Sequence, residues 1–329
     1  MSETTIGRNL ALELVRVTEA AALTAARWMG RGDKEAADQA AVDAMRLVLG
    51  SIAMDGVVVI GEGEKDEAPM LYVGERVGGA DGPKVDIAVD PIDGTRLLAN
   101  GMPNSIATVA VAERGALFES PYVMYMEKIA VGPQAAGAID INDSIEHNLA
   151  RVAKAKGRQI PDLTVVILDR PRHQQIIEEV RAAGARIKSI PDGDVAGAVM
   201  TSMEGTGIDV LLGIGGAPEA VVAACALKCI GGDIQCKLSP RNDQEWQAVR
   251  EHEIDVNRVL TCDVLAAGDD VFFAATGITD GDLLRGVHFF GDGATTQSVV
   301  MRSWSGTVRK IDAVHRLNKL RQYSAFPFD

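Results

Sequence analysis

Residues 85–95 of this chain, VDIAVDPIDGT, decide how its first half is interpreted. The β-branched run at 85–90 predicts a strand. Pro91 predicts that this strand ends at Asp90, because proline has no N–H to donate to a strand ladder. The segment therefore predicts a strand that carries acidic residues to its end.

The residues that follow this strand indicate a site for a metal ion. Asp90 and Asp93 supply two carboxylates, and Gly94 and Thr95 add backbone amides and a hydroxyl. Carboxylate oxygens suit a hard cation such as Mg²⁺ or Mn²⁺, and backbone amides can hold phosphate oxygens. The alternative is a hairpin turn, because Asp-Gly is a common turn dipeptide.

A second predicted strand also ends in acidic residues. The run GVVVIG at 56–61 leads into EGEKDE at 62–67. A solvated loop explains one such segment. Two strands of one sheet that both end in carboxylates favour a cation, because like charges repel without one. Because of these two groups of carboxylates, Asp38, in the helix predicted at 35–49, becomes a further candidate ligand.

Composition and charge exclude several classes of function. Hydrophobic residues make up 47% of the 329 residues and aromatic residues 4%, which indicates an ordinary globular protein of about two domains. The net charge of −13 argues against a nucleic-acid partner. No apolar run approaches the roughly 18 residues of a membrane span, and the first thirty residues predict an amphipathic helix instead of a signal peptide. We expect a cytoplasmic protein without a membrane partner.

The cysteines allow two interpretations. The chain contains Cys225, Cys229, Cys236 and Cys262. A four-thiolate zinc site is one possibility, but no paired CxxC spacing supports it. We therefore expect buried, reduced thiols.

The order of predicted elements divides the chain in two. Helices at 9–30 and 35–49 precede strands at 56–61, 85–90 and 105–112, which predicts an α+β domain over residues 1–145. From about residue 140, helices, among them one at 217–230, alternate with strands at 164–168, 185–190 and 208–212. This order predicts an α/β domain with a mainly parallel sheet over residues 146–329. Strands at 269–276, 296–303 and 305–315 follow, and the sequence does not assign them to a sheet.

Three loops in the second half carry candidate binding groups. The run GIGGAPE at 213–219 follows a strand and opens a helix, so its glycines allow a ligand to approach the backbone. The runs DRPRH at 169–173 and DGD at 192–194 lie where ligands bind in open parallel sheets. Arg170 and Arg172 suit a phosphate, although an exposed arginine pair at a turn explains them equally well. Glu219 either satisfies the dipole of its helix or ligates a metal.

The combination of these segments resembles a known enzyme family. The acidic DPIDGT run with an upstream glutamate strand is similar to the metal-dependent, lithium-sensitive sugar and inositol phosphatases. Longer strings resemble the bacterial class II fructose-1,6-bisphosphatase family from about Asn9 to about His315. These strings occur in the order WMGRGDKEAAD, VVIGEGEKDEAPMLYVGE, YMEKIAVGP, DRPRH, IPDGDV, GIGGAPE and FAATGIT.

The resemblance implies a layered sugar-phosphatase fold of the α/β class and a set of site residues. The implied metal ligands, for Mn²⁺ or Mg²⁺, are Asp38, Glu62, Asp90, Asp93 and Glu219. The implied substrate contacts are Asp93, Gly94, Thr95, Tyr125, Arg170, Pro171, Arg172, Asp192, Gly193, Asp194 and Gly216. Catalytic roles are implied for Thr95, Asp66 and Lys34.

The resemblance also implies a reaction, namely the hydrolysis of fructose 1,6-bisphosphate to fructose 6-phosphate and phosphate in gluconeogenesis. The alternatives are sedoheptulose 1,7-bisphosphate as a substrate, an inositol monophosphatase-like activity, and a sugar-phosphate sensor without turnover. The expected partner is a small sugar bisphosphate, and we expect a homo-oligomer, either a dimer or a tetramer.

Overall fold

The computed structural model describes residues 9–62, 71–79 and 81–323, and only the backbone of 321–323. The first elements in chain order are α1 (Leu10–Ala25), α2 (Lys34–Gly50), β1 (Asp55–Ile60), β2 (Arg76–Val77), β3 (Lys84–Asp93), α3 (Thr95–Ala99), β4 (Ile106–Glu113), β5 (Tyr125–Val131) and α4 (Ile145–Ala155). The next are β6 (Thr164–Leu168), α5 (Gln174–Ala183), β7 (Arg186–Ile190), α6 (Asp194–Met200), β8 (Val210–Gly216), α7 (Ala217–Ile230) and β9 (Asp233–Leu238). The last are α8 (Asp243–Glu251), β10 (Leu260–Thr261), α9 (Cys262–Leu265), β11 (Phe272–Gly277), β12 (His288–Phe290), β13 (Gly293–Arg302), β14 (Thr307–Arg316) and α10 (Leu317–Tyr323).

The chain forms two compact units. One consists of Met1–Leu117 with Gly268–Asp329, and the other consists of Phe118–Ala267. The single division near residue 145 that the sequence predicts differs from this arrangement. The chain returns to the first unit because β11 pairs along its whole length with β4, a long-range pairing that local patterns do not reveal.

In the first unit, two helices pack on one face of a mixed sheet. The strand order is β12-β13-β11-β4-β3-β1-β2, with β14 beside β13. The apolar faces of α1 and α2, including Leu14 and Met45, join Ile87 and Phe272 of the sheet in one core. Full burial of such side chains contributes about 1.5–3 kcal/mol each to stability. The helices predicted at 9–30 and 35–49 are confirmed.

The strand that contains Asp90 corrects one prediction. β3 does not end at Asp90 but continues through Pro91 to Asp93. Asp90 lies opposite Thr108 and Asp93 lies opposite Ile106, so β3 has one residue more than β4 between these pairs. This bulge accommodates Pro91, which lacks the N–H that a regular ladder requires.

The second unit contains a mixed sheet with the order β10-β9-β5-β8-β6-β7. β6 runs parallel to β7 and to β8, as the alternation of strands and helices predicts. The remaining pairs, β5 with β8, β5 with β9 and β9 with β10, are antiparallel. The expectation of a mainly parallel sheet is therefore correct only for β6, β7 and β8, while the α/β class is confirmed.

Two simpler expectations can be compared with the structure. All four cysteines are free and buried, as expected for reduced thiols. Among the described residues, none of the helices has the length and apolar character needed to cross a membrane.

Candidate active site

The bulge in β3 leads directly into a short helix. Asp93 is 3% exposed, and Gly94 follows it with a φ of +87°, a conformation that glycine adopts without strain. A Cβ atom at Gly94 would also lie 2.8 Å from Leu97 Cδ1. Helix α3 then begins at Thr95. The hairpin-turn interpretation of this segment is therefore wrong, because a helix separates β3 from β4.

Thr95 and Asp38 form the central contact of the first unit. Thr95 Oγ1 donates to Asp38 Oδ1 over 3.3 Å and lies 3.2 Å from the carbonyl oxygen of Ile92. Burial raises the pKa of Asp38 to about 6, against the opposing effects of the Thr95 hydrogen bond and the Lys34 charge. Three residues of the predicted site thus act on one another here.

The remaining predicted residues of this unit lie on separate elements. Glu62 is exposed directly after β1, and its N–H donates to the carbonyl oxygen of Leu71 over 3.0 Å. Asp90 is half-buried, and its carbonyl oxygen accepts a 3.3 Å hydrogen bond from Thr108 Oγ1. Asp66 lies outside the described residues, so its predicted role stays a prediction.

In the second unit, glycines make room for charged side chains. A Cβ atom at Gly215 would lie 1.9 Å from Asp194 Oδ2 and 2.9 Å from Lys128 Nζ. A Cβ atom at Gly216 would lie 1.9 Å from Glu219 Oε2. At these two glycines of the GIGGAPE run, side chains of the protein itself approach the backbone. The sequence predicted that a ligand would approach the backbone there.

These charged groups form a buried cluster. Lys128 Nζ lies 2.7 Å from Asp194 Oδ2, and the two side chains are 3% and 10% exposed. Burial by itself lowers the pKa of Lys128, but the charges of Asp194 and Glu219 outweigh it and raise the pKa overall. Burial raises the pKa of Glu219, and the Asp194 charge raises it further. Glu219 Oε2 is buried and has no hydrogen-bond partner among the residues that the structure describes.

The predicted arginines lie on the loop after β6. Arg170 donates to Asp192 Oδ1 over 3.0 Å, which ties the DRPRH loop to the DGD loop. Arg172 donates through Nε and Nη2 to the carbonyl oxygen of Ile214, over 3.0 and 2.7 Å. His173 is buried and supports the same loop, because its Nε2 accepts a 2.8 Å hydrogen bond from the Ile214 N–H.

A third arginine completes this cationic group. The guanidinium carbon of Arg241 lies 4.8 Å from the centroid of the Tyr125 ring, and that of Arg172 lies 5.6 Å from the same ring. Burial lowers the pKa of Arg172, and the charges of Arg241 and Arg170 lower it further. Within the part of the chain that the structure describes, neither Arg172 nor Arg241 forms an ion pair with a carboxylate. We name Tyr125, Arg172 and Arg241 the arginine–tyrosine cluster.

Sequence reasoning missed two of these residues. Lys128 lies within β5, where its neighbours Ile129 and Ala130 are buried, and a lysine inside an apolar strand is a usable signal for a paired, buried charge. Arg241 lies in the segment 233–265, from which the sequence predicts no function. No local pattern marks it, because its relation to Tyr125 depends on the pairing of β9 with β5.

Comparison with known proteins identifies the family. The family of bacterial, glpX-encoded fructose-1,6-bisphosphatases matches this chain over residues 8–315. The chain belongs to this family. The resemblance predicted from the sequence strings is thereby confirmed. Fructose-1,6-bisphosphatases form a metal-dependent family, and the match does not specify the metal.

Individual relatives agree with the family. A class 2 fructose-1,6-bisphosphatase of Haemophilus influenzae is 48% identical over 328 residues, which cover 96% of this chain and 98% of the relative. Fructose-1,6-bisphosphatase 1 class 2 of Escherichia coli K12 is 47% identical over 325 residues, which cover 95% of this chain and 96% of the relative. A solved structure, the suhB extragenic suppressor protein of Bartonella henselae, covers 59% of this chain and 74% of its own at 15% identity. Its TM-score of 0.34 carries no conclusion.

The candidate metal ligands are all carboxylates, and carboxylate oxygens suit a divalent metal ion. Within residues 9–62, 71–79 and 81–323, no three His, Cys, Asp or Glu side chains are placed closely enough to hold a metal ion. Glu219 nevertheless has a buried oxygen without a hydrogen-bond partner in the described part of the chain, and the pKa of Asp38 is raised by burial. Both carboxylates gain from a nearby cation. The resemblance implies Asp38, Glu62, Asp90 and Asp93 of the first unit and Glu219 of the second unit as metal ligands, and these roles stay predictions.

Proposed function

We propose that this chain hydrolyses fructose 1,6-bisphosphate to fructose 6-phosphate and inorganic phosphate. The observation that carries the proposal is the arginine–tyrosine cluster in a chain that belongs to the fructose-1,6-bisphosphatase family. Two guanidinium groups that contact the same ring and form no ion pair with a described carboxylate repel one another, and a bound anion removes the repulsion. A substrate with two phosphates can place its second phosphate against the arginine–tyrosine cluster. A monophosphate has no second phosphate to bind there.

The scissile phosphate is assigned to the segment around Thr95. The Thr95 hydroxyl, held by its hydrogen bond to Asp38, orients a water molecule for attack on phosphorus. Asp38 or Asp66 accepts a proton of that water as the new P–O bond forms. The sugar oxygen leaves with the electron pair of the broken P–O bond and takes a proton from solvent. The family's divalent metal ion, when bound, would lower the pKa of this water and neutralise charge on the phosphoryl oxygens. Lys34 adds a positive charge beside Asp38.

The remote phosphate and the sugar are assigned to the arginine–tyrosine cluster and to the DGD loop. Arg172 is held in place by two bonds to the carbonyl oxygen of Ile214, so its guanidinium is already oriented when the substrate arrives. Arg241 and Tyr125 bind the same phosphate, and Arg170 positions Asp192. The carboxylates of Asp192 and Asp194 accept hydrogen bonds from sugar hydroxyls. Such remote contacts contribute to binding and to orientation of the reacting phosphate.

The proposal includes some properties that remain predictions. We expect Mn²⁺ or Mg²⁺ as the metal, a homo-oligomer as the active form, and the cytoplasm as its location. The family match does not favour sedoheptulose 1,7-bisphosphate, an inositol monophosphatase-like activity or a sensor without turnover over the proposed reaction.

A phosphate-release assay tests the proposal. The enzyme is incubated with fructose 1,6-bisphosphate, fructose 6-phosphate, inositol 1-phosphate or an aryl phosphate, each with Mn²⁺ or with Mg²⁺. We expect fast release of one equivalent from the bisphosphate, slow release from the monophosphates, and no release with excess chelator. Equal kcat/KM values for bisphosphate and monophosphates, or full activity in chelator, would contradict the proposal.

A further inference from the structure

The last strand of the first unit has an open edge. All ten residues of β14 pair with β13, from Thr307 opposite Arg302 to Arg316 opposite Gly293. Among the residues that the structure describes, β14 pairs with no strand other than β13. The second edge of β14 therefore offers backbone N–H and C=O groups to a further strand.

This edge lacks several features that commonly protect edge strands. Natural edge strands are commonly short, contain proline or a bulge, or are covered by another element. β14 has ten residues and no proline, and its register with β13 is unbroken. Val308 and Val314 on one face of it are 37% and 66% exposed. A strand of this length with exposed valines favours a partner.

We propose that β14 pairs antiparallel with β14 of a second copy of this chain, with Ile311 at a two-fold axis. The two eight-stranded sheets then form one continuous sheet across the dimer. The interface is isologous, so every contact occurs twice.

The side chains of β14 are self-complementary in this register. Val308, Lys310, Asp312 and Val314 share one face, because side chains alternate along a strand. With Ile311 opposite Ile311 of the second copy, Lys310 lies opposite Asp312 and Val308 lies opposite Val314. Directly opposed pairs of opposite charge, and opposed β-branched residues, stabilise an antiparallel pair of strands.

Neighbouring registers bring like charges together. A two-fold axis normal to the sheet keeps residues of one face opposite residues of the same face. The next possible registers therefore centre on Lys310 or on Asp312. The first places Lys310 opposite Lys310, and the second places Asp312 opposite Asp312, which is destabilising. The pattern of charges on β14 thus selects one register.

The contacts within one copy leave this pairing open. The Asp312 carboxylate accepts a 2.9 Å hydrogen bond from Gln297 and a further one from Arg285 of the same chain. Its side chain is still 61% exposed. On β13, the residue opposite Lys310 is Val299, which carries no charge. The exposed side of the Asp312 carboxylate can therefore form an ion pair with Lys310 of the second copy.

Cysteine cross-linking tests the register. Opposed residues in an antiparallel pair have Cβ atoms about 4.5–5.5 Å apart, close to the distance that a disulfide bridges. We expect an oxidised mixture of Val308→Cys and Val314→Cys to give a disulfide-linked dimer, while each variant alone gives none. In the proposed dimer two copies of residue 308 lie about 20 Å apart at 3.3 Å per residue. The native cysteines are all buried and give little background.

The oligomeric state tests the pairing without a cross-link. We expect sedimentation of the full chain at micromolar concentration to show a dimer or a multiple of it. Lys310→Glu places two carboxylates opposite one another twice, and we expect its dimer dissociation constant to rise at least tenfold. Lys154→Glu, the same charge change at an exposed lysine of the second unit, is the control and leaves the dissociation constant unchanged. A monomeric wild type would overturn the proposal, as would an oligomer that Lys310→Glu does not weaken or a cysteine mixture that does not cross-link.

Discussion

Thr95 and Asp38 lie 57 positions apart in the chain and are joined by a 3.3 Å hydrogen bond from Thr95 Oγ1 to Asp38 Oδ1. The contact connects the first residue of α3 to the second turn of α2. It thereby places the carboxylate of a helix residue beside the segment that directly follows Asp93. The proposed orientation of the attacking water depends on this bond.

Replacement of the Thr95 hydroxyl tests this role. Thr95→Val keeps the shape of the side chain but removes the hydroxyl, and we expect kcat to fall by roughly 100-fold or more. Thr95→Ser keeps the hydroxyl and should stay within about tenfold of the wild type. Steady-state kinetics with fructose 1,6-bisphosphate measure both variants. Equal losses in the two variants would assign Thr95 a packing role only.

The carboxylate of Asp90 is expected to be essential. Asp90→Asn removes a proposed ligand charge with little change in shape. A loss of several kcal/mol of transition-state stabilisation corresponds to roughly a thousand-fold lower rate at about 1.36 kcal/mol per decade. Thermal unfolding without added metal should remain close to that of the wild type. Activity within about tenfold of the wild type would return Asp90 to a purely structural role in the bulge of β3.

The arginine–tyrosine cluster is expected to select the bisphosphate. Arg172→Ala and Arg241→Ala each remove a charge-assisted contact to the remote phosphate, so kcat/KM for fructose 1,6-bisphosphate should fall roughly 10- to 100-fold. Activity on an aryl phosphate, which does not reach the cluster, should change little.

Two further variants complete this experiment. Arg241→Lys keeps the charge but loses the planar fork, so it should recover part of the activity at most. Arg250→Ala removes an exposed arginine from α8 and serves as the matched control. Equal losses on both substrates after Arg241→Ala would place Arg241 in the scaffold of the second unit.

Gly216→Ala is expected to displace the Glu219 carboxylate. Gly216 has a φ of −61°, so alanine causes no backbone strain there. Its Cβ atom would instead lie 1.9 Å from Glu219 Oε2, and the carboxylate has to move. We expect a higher metal concentration for half-maximal activity and a Tm lowered by no more than a few degrees.

Gly50→Ala is the matched control for this variant, because a Cβ atom at Gly50 meets no atom within 4 Å. It should leave the metal dependence unchanged and should not lower stability. An unchanged metal dependence of Gly216→Ala would contradict a role of Glu219 in metal binding.

Stability is expected to depend on pH through Glu19. Burial raises the pKa of Glu19 from 4.5 to about 7, while the Thr296 hydrogen bond and the Arg16 charge oppose the rise. The folded protein therefore retains a proton that the unfolded chain releases, so stability decreases as the pH rises from 4.5 to 7. The cost reaches about 3 kcal/mol at most, at about 1.36 kcal/mol per unit of pKa.

Glu19→Gln removes this titration and keeps the size of the side chain. We expect urea unfolding to show a variant more stable than the wild type at pH 8, with the difference vanishing near pH 4.5. A difference that stays constant between these pH values would show that Glu19 titrates with an ordinary pKa in the folded protein.

Much of the local structure could be predicted from the sequence. The strand at 164–168 and the helix at 217–230 have the bounds that their patterns predict. Their signals are local, because alternation of side chains and the spacing of apolar residues act within a few positions. The acidic DPIDGT run was likewise recognisable by its chemistry, although the helix that follows it was not predicted.

The sequence by itself determined the family, the candidate acids and arginines, and the helices and strands with strong periodicity. Tertiary structure decided the rest. β11 joins the sheet of the first unit by pairing with β4, and Arg241 approaches Tyr125 because β9 lies beside β5. Lys128 Nζ donates a hydrogen bond to Asp194 Oδ2, which lies 66 positions away in the chain. Such contacts depend on which strands become neighbours, and strand pairing is set by the burial of whole faces across long sequence separations. A local pattern of residues does not specify the distant segment with which it will pair.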